Sequence, residues 1–283
     1  MIDNMKADRV RKVADLANRR TRERFGRFLI EGPQSVREAV TWMPDAVRDL
    51  YVQAVDGPDG PRIAGETLTS IVERSQEHRI YVHPASEAVM RRISPDCQGI
   101  AAVGDADAVR ATAQGTQLPD KPFVAAFWQV RDPGNAGTVI RAADAAGCDA
   151  VVFVDDCVDM LNPKVIRATA GSLFHIPVMT MGVDKFFGWA GEKVLRTVAA
   201  DVYGTDGREP RELPEALRDQ DLAGMGKAVI FGNEARGLEP GLLGRCDDIV
   251  RIPLYGKAES LNLATSAAIM LMSMAMSSHI GTM

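Results

Sequence analysis

Short apolar runs alternate with segments of helical periodicity along most of the chain. In the first third of the sequence the apolar runs predict strands, at residues 28–31, 47–52, 79–83 and 99–103. Amphipathic segments between these runs predict helices, at residues 33–42, 64–78 and 86–93. The first ~25 residues also follow a helical pattern, with basic side chains opposite the apolar face. Together these elements predict a small α/β unit of about 105 residues.

A loss of this pattern separates the small unit from the rest of the chain. Residues 104–122 end in two prolines and lack an apolar period, which is typical of an interdomain linker. The predicted organisation is therefore a first domain at residues 1–105, a linker at 106–121 and a second domain at 122–283.

The second domain has longer and more continuous apolar runs, as expected for strands buried on both faces of a parallel sheet. These strands are predicted at residues 123–129, 150–154, 176–179, 194–199, 228–231 and 249–252. Helices are predicted between and after them, at residues 137–146, 163–170, 184–191, 212–220 and 260–278. The alternation indicates a parallel α/β sheet that binds ligands at the carboxyl ends of its strands.

Composition excludes several classes of protein, and the charge is unevenly distributed. The 283 residues are 46% hydrophobic and 25% charged, which excludes fibrous, collagen-like and disordered chains. A net charge of −5 argues at first against a nucleic-acid partner. However, residues 6–27 carry nine Lys or Arg against three acidic residues, so this segment has a charge of +6 and the remainder −11.

The spacing of the cysteines and the lengths of the apolar runs indicate in which compartment the protein is expected. Cys97, Cys148, Cys157 and Cys246 show no metal-ligand spacing, so we expect reduced thiols, no metal site and a cytoplasmic location. No apolar run follows the basic N-terminal segment, so no signal peptide is expected. The apolar stretch 261–276 is too short for a membrane span and is predicted to be a buried helix.

Three segments carry polar residues where a predicted strand ends. The first, residues 132–137, opens a helix that Asn135 is placed to cap and that carries Arg141. Taken alone, this segment is better explained as an ordinary strand–turn–helix junction with a surface arginine. It also lacks the GxGxxG pattern of a dinucleotide-binding fold.

The other two segments follow the strands at 228–231 and 249–252. Residues 231–238 read FGNEARGL, which fits either a ligand-facing loop or a tight turn with a solvated glutamate. Residues 252–264 read IPLYGKAESLNLA, in which Ser260 is predicted to cap the following helix. Asn262 falls in the first turn of that nearly apolar helix, where a polar amide needs partners, and this indicates a binding site.

Taken together, the three segments resemble motifs 1, 2 and 3 of the SpoU (TrmH-like) RNA ribose methyltransferases of the SPOUT superfamily. The matching residues are Asn135, Gly137 and Arg141, then Gly232, Asn233, Glu234, Gly237 and Leu238, then Ile252, Pro253, Leu254, Gly256, Ser260, Leu261 and Asn262. Residues 24–32 and 98–103 more loosely resemble the family's substrate-binding domain, which is similar to a small RNA-binding ribosomal protein. The layout is most similar to ribosomal RNA methyltransferases of the thiostrepton-resistance type.

The resemblance implies a fold, a cofactor and an assembly. The second domain would be a parallel α/β sheet whose C-terminal segment forms a trefoil knot. S-adenosylmethionine would bind there, at Gly232, Asn233, Glu234, Gly237, Ile252, Leu254 and Leu261. The protein would be a homodimer, with the helix at 261–276 at the interface, although a core helix within one subunit explains that stretch equally well.

The resemblance also implies a reaction, methyl transfer to a ribose 2′-hydroxyl of structured RNA. Its implied catalytic residues are Asn135, Arg141, Glu234, Ser260 and Asn262. The asparagines would position the ribose, while Glu234 and Ser260 would hold the hydrogen-bond network. Because a guanidinium keeps its proton, we interpret Arg141 as a bidentate clamp on the adjacent phosphate rather than as a base.

RNA binding is further expected at arginines outside these motifs. The candidates are Arg9, Arg20, Arg24, Arg27 and Arg167. Arginine interleaved with aromatic residues, as around Phe25 and Phe28, suits phosphate contact and base stacking, although a charge run is often only a solvated face. Arg167 follows Asn162 and Pro163 and would contact RNA from the partner subunit, or else be a surface arginine.

Other functions remain open from the sequence. Within the family, the substrate is expected to be ribosomal RNA, with transfer RNA as the alternative, and a base methyltransferase of the same superfamily is less favoured. A catalytically silent RNA-binding or ribosome-assembly protein is an alternative from another class. A nicotinamide-dependent enzyme lacks the expected glycine fingerprint.

Overall fold

The computed structural model describes residues 1–58 and 60–278. Its helices are α1 (Asp8–Ala14), α2 (Arg19–Phe25), α3 (Pro33–Trp42), α4 (Glu66–Glu77), α5 (Glu87–Ile93), α6 (Ala106–Gly115), α7 (Pro133–Ala145), α8 (Pro163–Ala168), α9 (Val183–Glu192), α10 (Leu213–Ala216), α11 (Gln220–Gly224), α12 (Pro240–Leu243) and α13 (Leu263–Ser278). Its strands are β1 (Arg27–Glu31), β2 (Val47–Gly57), β3 (Gly60–Ile63), β4 (Tyr81–Ala85), β5 (Ile100–Asp105), β6 (Phe123–Trp128), β7 (Ala150–Val154), β8 (Val178–Met181), β9 (Arg196–Ala200), β10 (Arg211–Glu212), β11 (Lys227–Phe231) and β12 (Asp248–Arg251). The chain divides into two compact units, Met1–Thr112 with Asp159–His175, and Ala113–Val158 with Ile176–Met283.

The first unit is built on a mixed sheet that contains the predicted strands. β5 pairs antiparallel with both β1 and β2, β4 runs parallel to β2, and the hairpin strand β3 extends the end of β2. Helix α1 buries Val10 and Val13, which are three residues apart on one helical face, against this sheet. Helix α2 ends at Gly26, whose φ of 59° is the left-handed conformation that glycine adopts without strain.

One segment differs from the predicted continuous second domain. Residues Asp159–His175, which include α8, pack with the first unit. Arg22 explains this placement, because its guanidinium is 4% exposed and donates to the Asp159 carboxylate from both Nε (3.0 Å) and Nη2 (2.6 Å). The same guanidinium also donates to the carbonyl oxygens of Leu16 and Ala17. Arg22 is therefore a buried structural residue, although it lies in the basic segment that was expected to face solvent or RNA.

The second unit confirms the prediction of a parallel sheet. Its seven strands are all parallel, in the order β10-β12-β9-β11-β6-β7-β8. The side chains of β6, β7 and β11 are almost completely buried, and the rings of Phe127 and Phe231 stack across adjacent strands at 5.2 Å. Because the strands are parallel, the loops after β6, β11 and β12 leave the same edge of the sheet.

The segment predicted as a linker contains a helix. Ala106, Val109 and Ala113 are buried at spacings of three and four residues, which gives α6 an apolar face too narrow to form a continuous apolar run in the sequence. Asp105 caps this helix, since its Oδ1 accepts hydrogen bonds from the backbone N–H groups of residues 107 and 108.

Candidate active site

The first of the three loops leads from β6 into α7. Asp132, rather than Asn135, caps this helix, because the Asp132 Oδ1 accepts a hydrogen bond of 2.7 Å from the backbone N–H of Asn135. Pro133 occupies the first helical position, where a missing N–H costs nothing. The expected capping role of Asn135 is therefore wrong, and its side chain is free to contact other loops.

A chain of three polar side chains joins all three loops. The Asn135 Nδ2 donates to the Glu234 Oε1 at 3.2 Å, and the Asn262 Nδ2 donates to the Asn135 Oδ1 at 3.1 Å. Glu234 also accepts hydrogen bonds from the backbone N–H groups of Arg131 and Asp132, at 3.4 and 3.3 Å. The structure thus brings together residues that are about 100 and 130 positions apart in the sequence.

The hydrogen-bond network fixes the orientation of both carboxamides. An ionised carboxylate only accepts, so Asn135 must direct its NH₂ group to Glu234 and its oxygen to Asn262. Asn262 must then direct its oxygen to the start of α13, where it accepts from the backbone N–H groups of Ala264 and Thr265 at 2.9 and 3.3 Å. Each asparagine retains one N–H with no acceptor among the described residues, so the site presents two oriented donors.

Asn262 is therefore the cap of α13, and Ser260 is not. Helix α13 begins at Leu263, and Ser260 lies in the preceding loop, exposed and without a hydrogen bond to any described residue. Ser260 therefore does not join the hydrogen-bond network that it was expected to hold together with Glu234. Asn262 is itself exposed, so the expectation of a buried amide was wrong in this respect, while the expectation that it has polar partners is confirmed.

The loop after β11 is a tight turn closed by its own backbone. Asn233 and Gly237 exchange backbone hydrogen bonds of 3.1 and 2.9 Å, and Gly237 has a φ of 66°. The Asn233 side chain is 9% exposed and donates to the backbone carbonyl of Gln129 at 2.7 Å, which ties this loop to the loop after β6. A Cβ on Gly232 would lie 2.5 Å from the Leu238 nitrogen, so the turn admits no side chain there.

The loop after β12 offers unpaired backbone groups. Ile252, Leu254 and Leu261 are half-buried, and their backbone N–H and C=O groups form no hydrogen bond with any residue of the described ranges. Half-buried apolar side chains beside free backbone donors and acceptors are the combination that small-molecule and cofactor sites use. These residues therefore fit a ligand that has both an apolar ring and polar edges.

Arg141 lies on α7 beyond Asn135 and does not join the polar network. Its side chain is exposed, and it pairs with no described residue. An unpaired guanidinium on the helix that carries Asn135 is available to bind an anion such as a phosphate.

The five arginines expected to bind RNA fall into two groups. Arg9, Arg20 and Arg24 are exposed, and the Arg24 guanidinium lies 5.2 Å from the centre of the Phe25 ring. Arg27 forms an ion pair with Asp105 at 2.6 Å, and Arg167 forms ion pairs with Glu31 and Asp96. These last two arginines already hold the first unit together, which the sequence did not predict.

Gln129 is a residue of the site that the sequence pattern did not predict. Its φ of 52° is unusual for a residue with a side chain, and its carbonyl oxygen holds Asn233 while its Oε1 accepts from Arg236 at 3.2 Å. Gln129 follows directly after the carboxyl end of β6, and ligands of parallel sheets bind at such strand ends, so its position could have indicated a role in the site.

Burial lowers the acidity of the four cysteine thiols. Burial raises the pKa of the Cys157 thiol to about 11 and that of Cys246 to about 12, and it also raises the pKa of Cys97 and Cys148. All four therefore stay protonated at neutral pH and are poor nucleophiles.

In the part of the chain that the structure describes, no group of three His, Cys, Asp or Glu side chains could hold a metal. Among residues 1–58 and 60–278, no helix has the length and apolar character that a membrane crossing requires.

Comparison with known protein families gives one match in each part of the chain. Residues 122–272 match the SpoU rRNA Methylase family, and residues 7–102 match the MRM3-like substrate binding domain. The first match spans more than half of the chain and contains the whole polar network. The chain therefore belongs to the SpoU rRNA Methylase family.

Individual relatives match along nearly the whole chain. The 23S rRNA (guanosine(2553)-2′-O)-methyltransferase RlmP of Bacillus subtilis is 35% identical, over 95% of this chain and 96% of the relative. The 23S rRNA (uridine(2479)-2′-O)-methyltransferase of Streptomyces viridochromogenes is 27% identical, over 90% and 85%. The crystal structure of an AdoMet-bound rRNA methyltransferase from Sinorhizobium meliloti has the same fold, with a TM-score of 0.78 and 24% identity over 96% of each chain.

Proposed function

We propose that the protein methylates a ribose 2′-hydroxyl of 23S ribosomal RNA, with S-adenosylmethionine as the methyl donor. The observation that carries this proposal is the Glu234–Asn135–Asn262 network, which presents two oriented N–H donors. The helix that carries Asn135 also carries the exposed guanidinium of Arg141. The relatives from Bacillus subtilis and Streptomyces viridochromogenes are both named as ribose methyltransferases of 23S rRNA, which supports the reaction and the substrate.

The cofactor fits the two glycine-containing loops of the second unit. The free backbone groups of Ile252, Leu254 and Leu261 suit the edges of an adenine, and their side chains suit its faces. The turn at Gly232, Asn233, Glu234 and Gly237, which its own backbone hydrogen bonds close, would form the other wall of the proposed site. When bound, S-adenosylmethionine supplies an electrophilic methyl group on a sulfonium.

The protein's residues would position the nucleotide for this transfer. Asn135 and Asn262 donate their free N–H groups to the ribose and its neighbouring oxygens. Ser260, two positions before Asn262 in the sequence, offers an exposed hydroxyl group. Glu234 accepts three hydrogen bonds and so orients Asn135. Arg141 clamps the adjacent phosphate and stabilises the negative charge that develops on the 2′-oxygen as the hydroxyl proton is released to water.

Helix α13 supports the proposed homodimer. Its residues are mostly apolar and it packs on α7, yet Ile269, Met272 and Met276 are 38%, 37% and 56% exposed. An apolar face of this kind is a typical protein–protein interface.

The proposal also includes the trefoil knot in the second domain that the family resemblance implies, and a cytoplasmic location.

The first unit is proposed to bind the RNA. Residues 7–102 match a substrate binding domain, and its exposed Arg9, Arg20 and Arg24 are available for phosphates. Arg27 and Arg167 can reach RNA only with the parts of their guanidinium groups that their ion pairs leave free.

The test is methyl transfer by the purified protein. We expect it to move a labelled methyl group from S-adenosylmethionine to a 23S rRNA transcript, and nucleoside digestion followed by mass spectrometry should give one 2′-O-methylnucleoside. A base-methylated nucleoside, or incorporation only into transfer RNA, would refute the proposed substrate and position. Absence of incorporation into any RNA would refute the enzyme activity.

A further inference from the structure

We propose that Tyr81, in the first unit, is a stacking site for an unpaired base of the RNA substrate, with Arg9 contacting a flanking phosphate. This inference rests on the proposed function, since it names an RNA contact of the same substrate. It adds an aromatic residue outside the basic segment and outside the three motifs.

The sheet register places the residues concerned on one face. β4 runs parallel to β2, with Tyr81 opposite Asp49 and His83 opposite Tyr51. Residues two apart on a strand point to the same side, and directly paired residues of neighbouring strands do so too. The aromatic rings of Tyr51, His83 and Tyr81 therefore form a ladder on this face.

The ladder is closely packed at its base and open at its end. The His83 ring stacks on Tyr51 with centres 4.7 Å apart and planes at 24°, and Tyr81 contacts His83 at 4.5 Å and 53°. Tyr51 and His83 are 2% and 6% exposed, whereas Tyr81 is 66% exposed. Because the Tyr81 ring already packs against His83, a base that stacks on Tyr81 restricts its side chain little further, so little side-chain entropy is lost on binding.

Hydrogen bonds hold the middle ring in one tautomer. The His83 Nε2 lies 2.8 Å from the Asp49 Oδ1, and its Nδ1 lies 3.2 Å from the Arg9 Nη1. Because the carboxylate only accepts and the guanidinium only donates, His83 carries its proton on Nε2 and accepts at Nδ1. Arg9 uses one of its five N–H groups here and keeps the others for an anion.

The arrangement favours RNA with an exposed base. Arg9 and Tyr81 both contact His83, so a guanidinium and an exposed aromatic ring are held by one residue, as a phosphate and a base are joined in one nucleotide. Arg9 also belongs to the segment 6–27 with its charge of +6. The base must be unpaired, because a duplex conceals the ring faces of its bases.

Trp42 shows why exposure alone is insufficient. Its ring is 64% exposed in the same unit, but its indole N–H donates to the Glu38 Oε2 at 3.2 Å. The Glu38 carboxylate also pairs with the guanidinium of Arg37 at 2.7 Å, whereas the Arg9 guanidinium has no acidic partner among the described residues. Trp42 is therefore a matched control for Tyr81.

The experiment measures binding of a fluorescein-labelled A12 oligoribonucleotide and of a 12-base-pair RNA duplex, by fluorescence anisotropy with the full chain. We expect Tyr81→Ala and Tyr81→Leu to weaken binding of the single strand about 5- to 100-fold, while duplex binding changes less than about twofold. Tyr81→Phe and Trp42→Ala should bind the single strand within about twofold of wild type. The melting temperature of each variant establishes that it is folded.

Two outcomes would overturn the stacking site. One is unchanged single-strand binding by the folded Tyr81→Ala variant, and the other is an equal loss in Trp42→Ala. Methylation of 23S rRNA by the wild-type protein tests the proposed function separately. If that activity is present, Tyr81→Ala should raise the KM for RNA and leave kcat unchanged, and an unchanged KM would also count against the stacking site.

Discussion

The backbone turn at Gly232 provides the sharpest test of the proposed cofactor site. A Cβ built at this position lies 2.5 Å from the Leu238 nitrogen and 2.6 Å from the Gly237 oxygen, and it also collides with the Gly237 carbonyl carbon. Ordinary contacts begin near 3.4 Å, so Gly232→Ala must displace the facing backbone by almost 1 Å. These atoms are backbone, and no side-chain rotation relieves the collision.

The displacement acts directly on the loop that is proposed to hold the cofactor. It opens the paired backbone hydrogen bonds between Asn233 and Gly237, which close the turn. Overpacking of this kind costs about 1–3 kcal/mol. We expect Gly232→Ala to weaken binding of S-adenosylmethionine at least tenfold, which corresponds to about 1.4 kcal/mol, and to lower the melting temperature by about 2–8 °C.

Isothermal titration calorimetry with S-adenosylmethionine and a thermal melt measure both effects. Gly241→Ala is the matched control, because a Cβ at Gly241 has nothing within 4 Å. That variant should bind the cofactor and melt as the wild type does. Wild-type cofactor affinity in Gly232→Ala would refute the assignment of this turn to the site, as would an equal loss in Gly241→Ala.

Three further predictions concern the charged residues. Arg141→Ala should nearly abolish turnover yet leave S-adenosylmethionine binding intact, and Arg141→Lys should also be poor because lysine lacks the planar fork; equal loss of turnover and cofactor affinity in a titration would refute the phosphate clamp. Replacing Arg20 and Arg24 by Ala should weaken binding of 23S rRNA and flatten its dependence on salt concentration, and an unchanged slope would reject their contact with phosphates. Burial raises the pKa of Asp105, but hydrogen bonds from Arg48 and from backbone N–H groups outweigh this and lower it from 3.8 to about 2. The resulting stabilisation, about 1–2 kcal/mol after allowance for the exposed Arg48, is complete above pH ~4 and is lost as the pH falls through about 2. Urea unfolding at pH 7 should therefore show Asp105→Asn to be destabilised by that amount, with a smaller difference at pH 3, and a difference that does not change with pH would contradict this account.

The sequence predicted the strands well because parallel and buried strands leave long apolar runs. β6, β7 and β11 were expected within a residue or two of their actual ends. The hairpin strand β3 and the two-residue strand β10 were not expected, since short exposed strands carry no such run.

Helix starts were less predictable, because each depends on which of several polar residues bonds to the first turn. Asn135 and Ser260 are both good capping residue types, but Asp132 and Asn262 make the capping hydrogen bonds. Propensity ranks such candidates almost equally, so only the fold decides between them.

The pattern of hydrophobic and polar residues does not predict polar contacts between residues that are distant in the sequence. The Arg22–Asp159 ion pair joins residues 137 positions apart and assigns the segment 159–175 to the first unit. The polar network was anticipated only as three separate loops, and the contact between Asn135 and Asn262 requires the loops after two non-adjacent strands to meet. The family resemblance supplied the roles of these residues, and the structure supplied their hydrogen bonds.

The central claim is that this protein methylates one ribose in 23S ribosomal RNA. Its most direct test maps ribose methylation across total RNA from cells with and without the gene. We predict that a single 2′-O-methyl site in 23S rRNA disappears, and that the wild-type gene restores it while the Arg141→Ala variant does not. An unchanged ribose methylation map, or the loss of a methylated base instead, would contradict this claim.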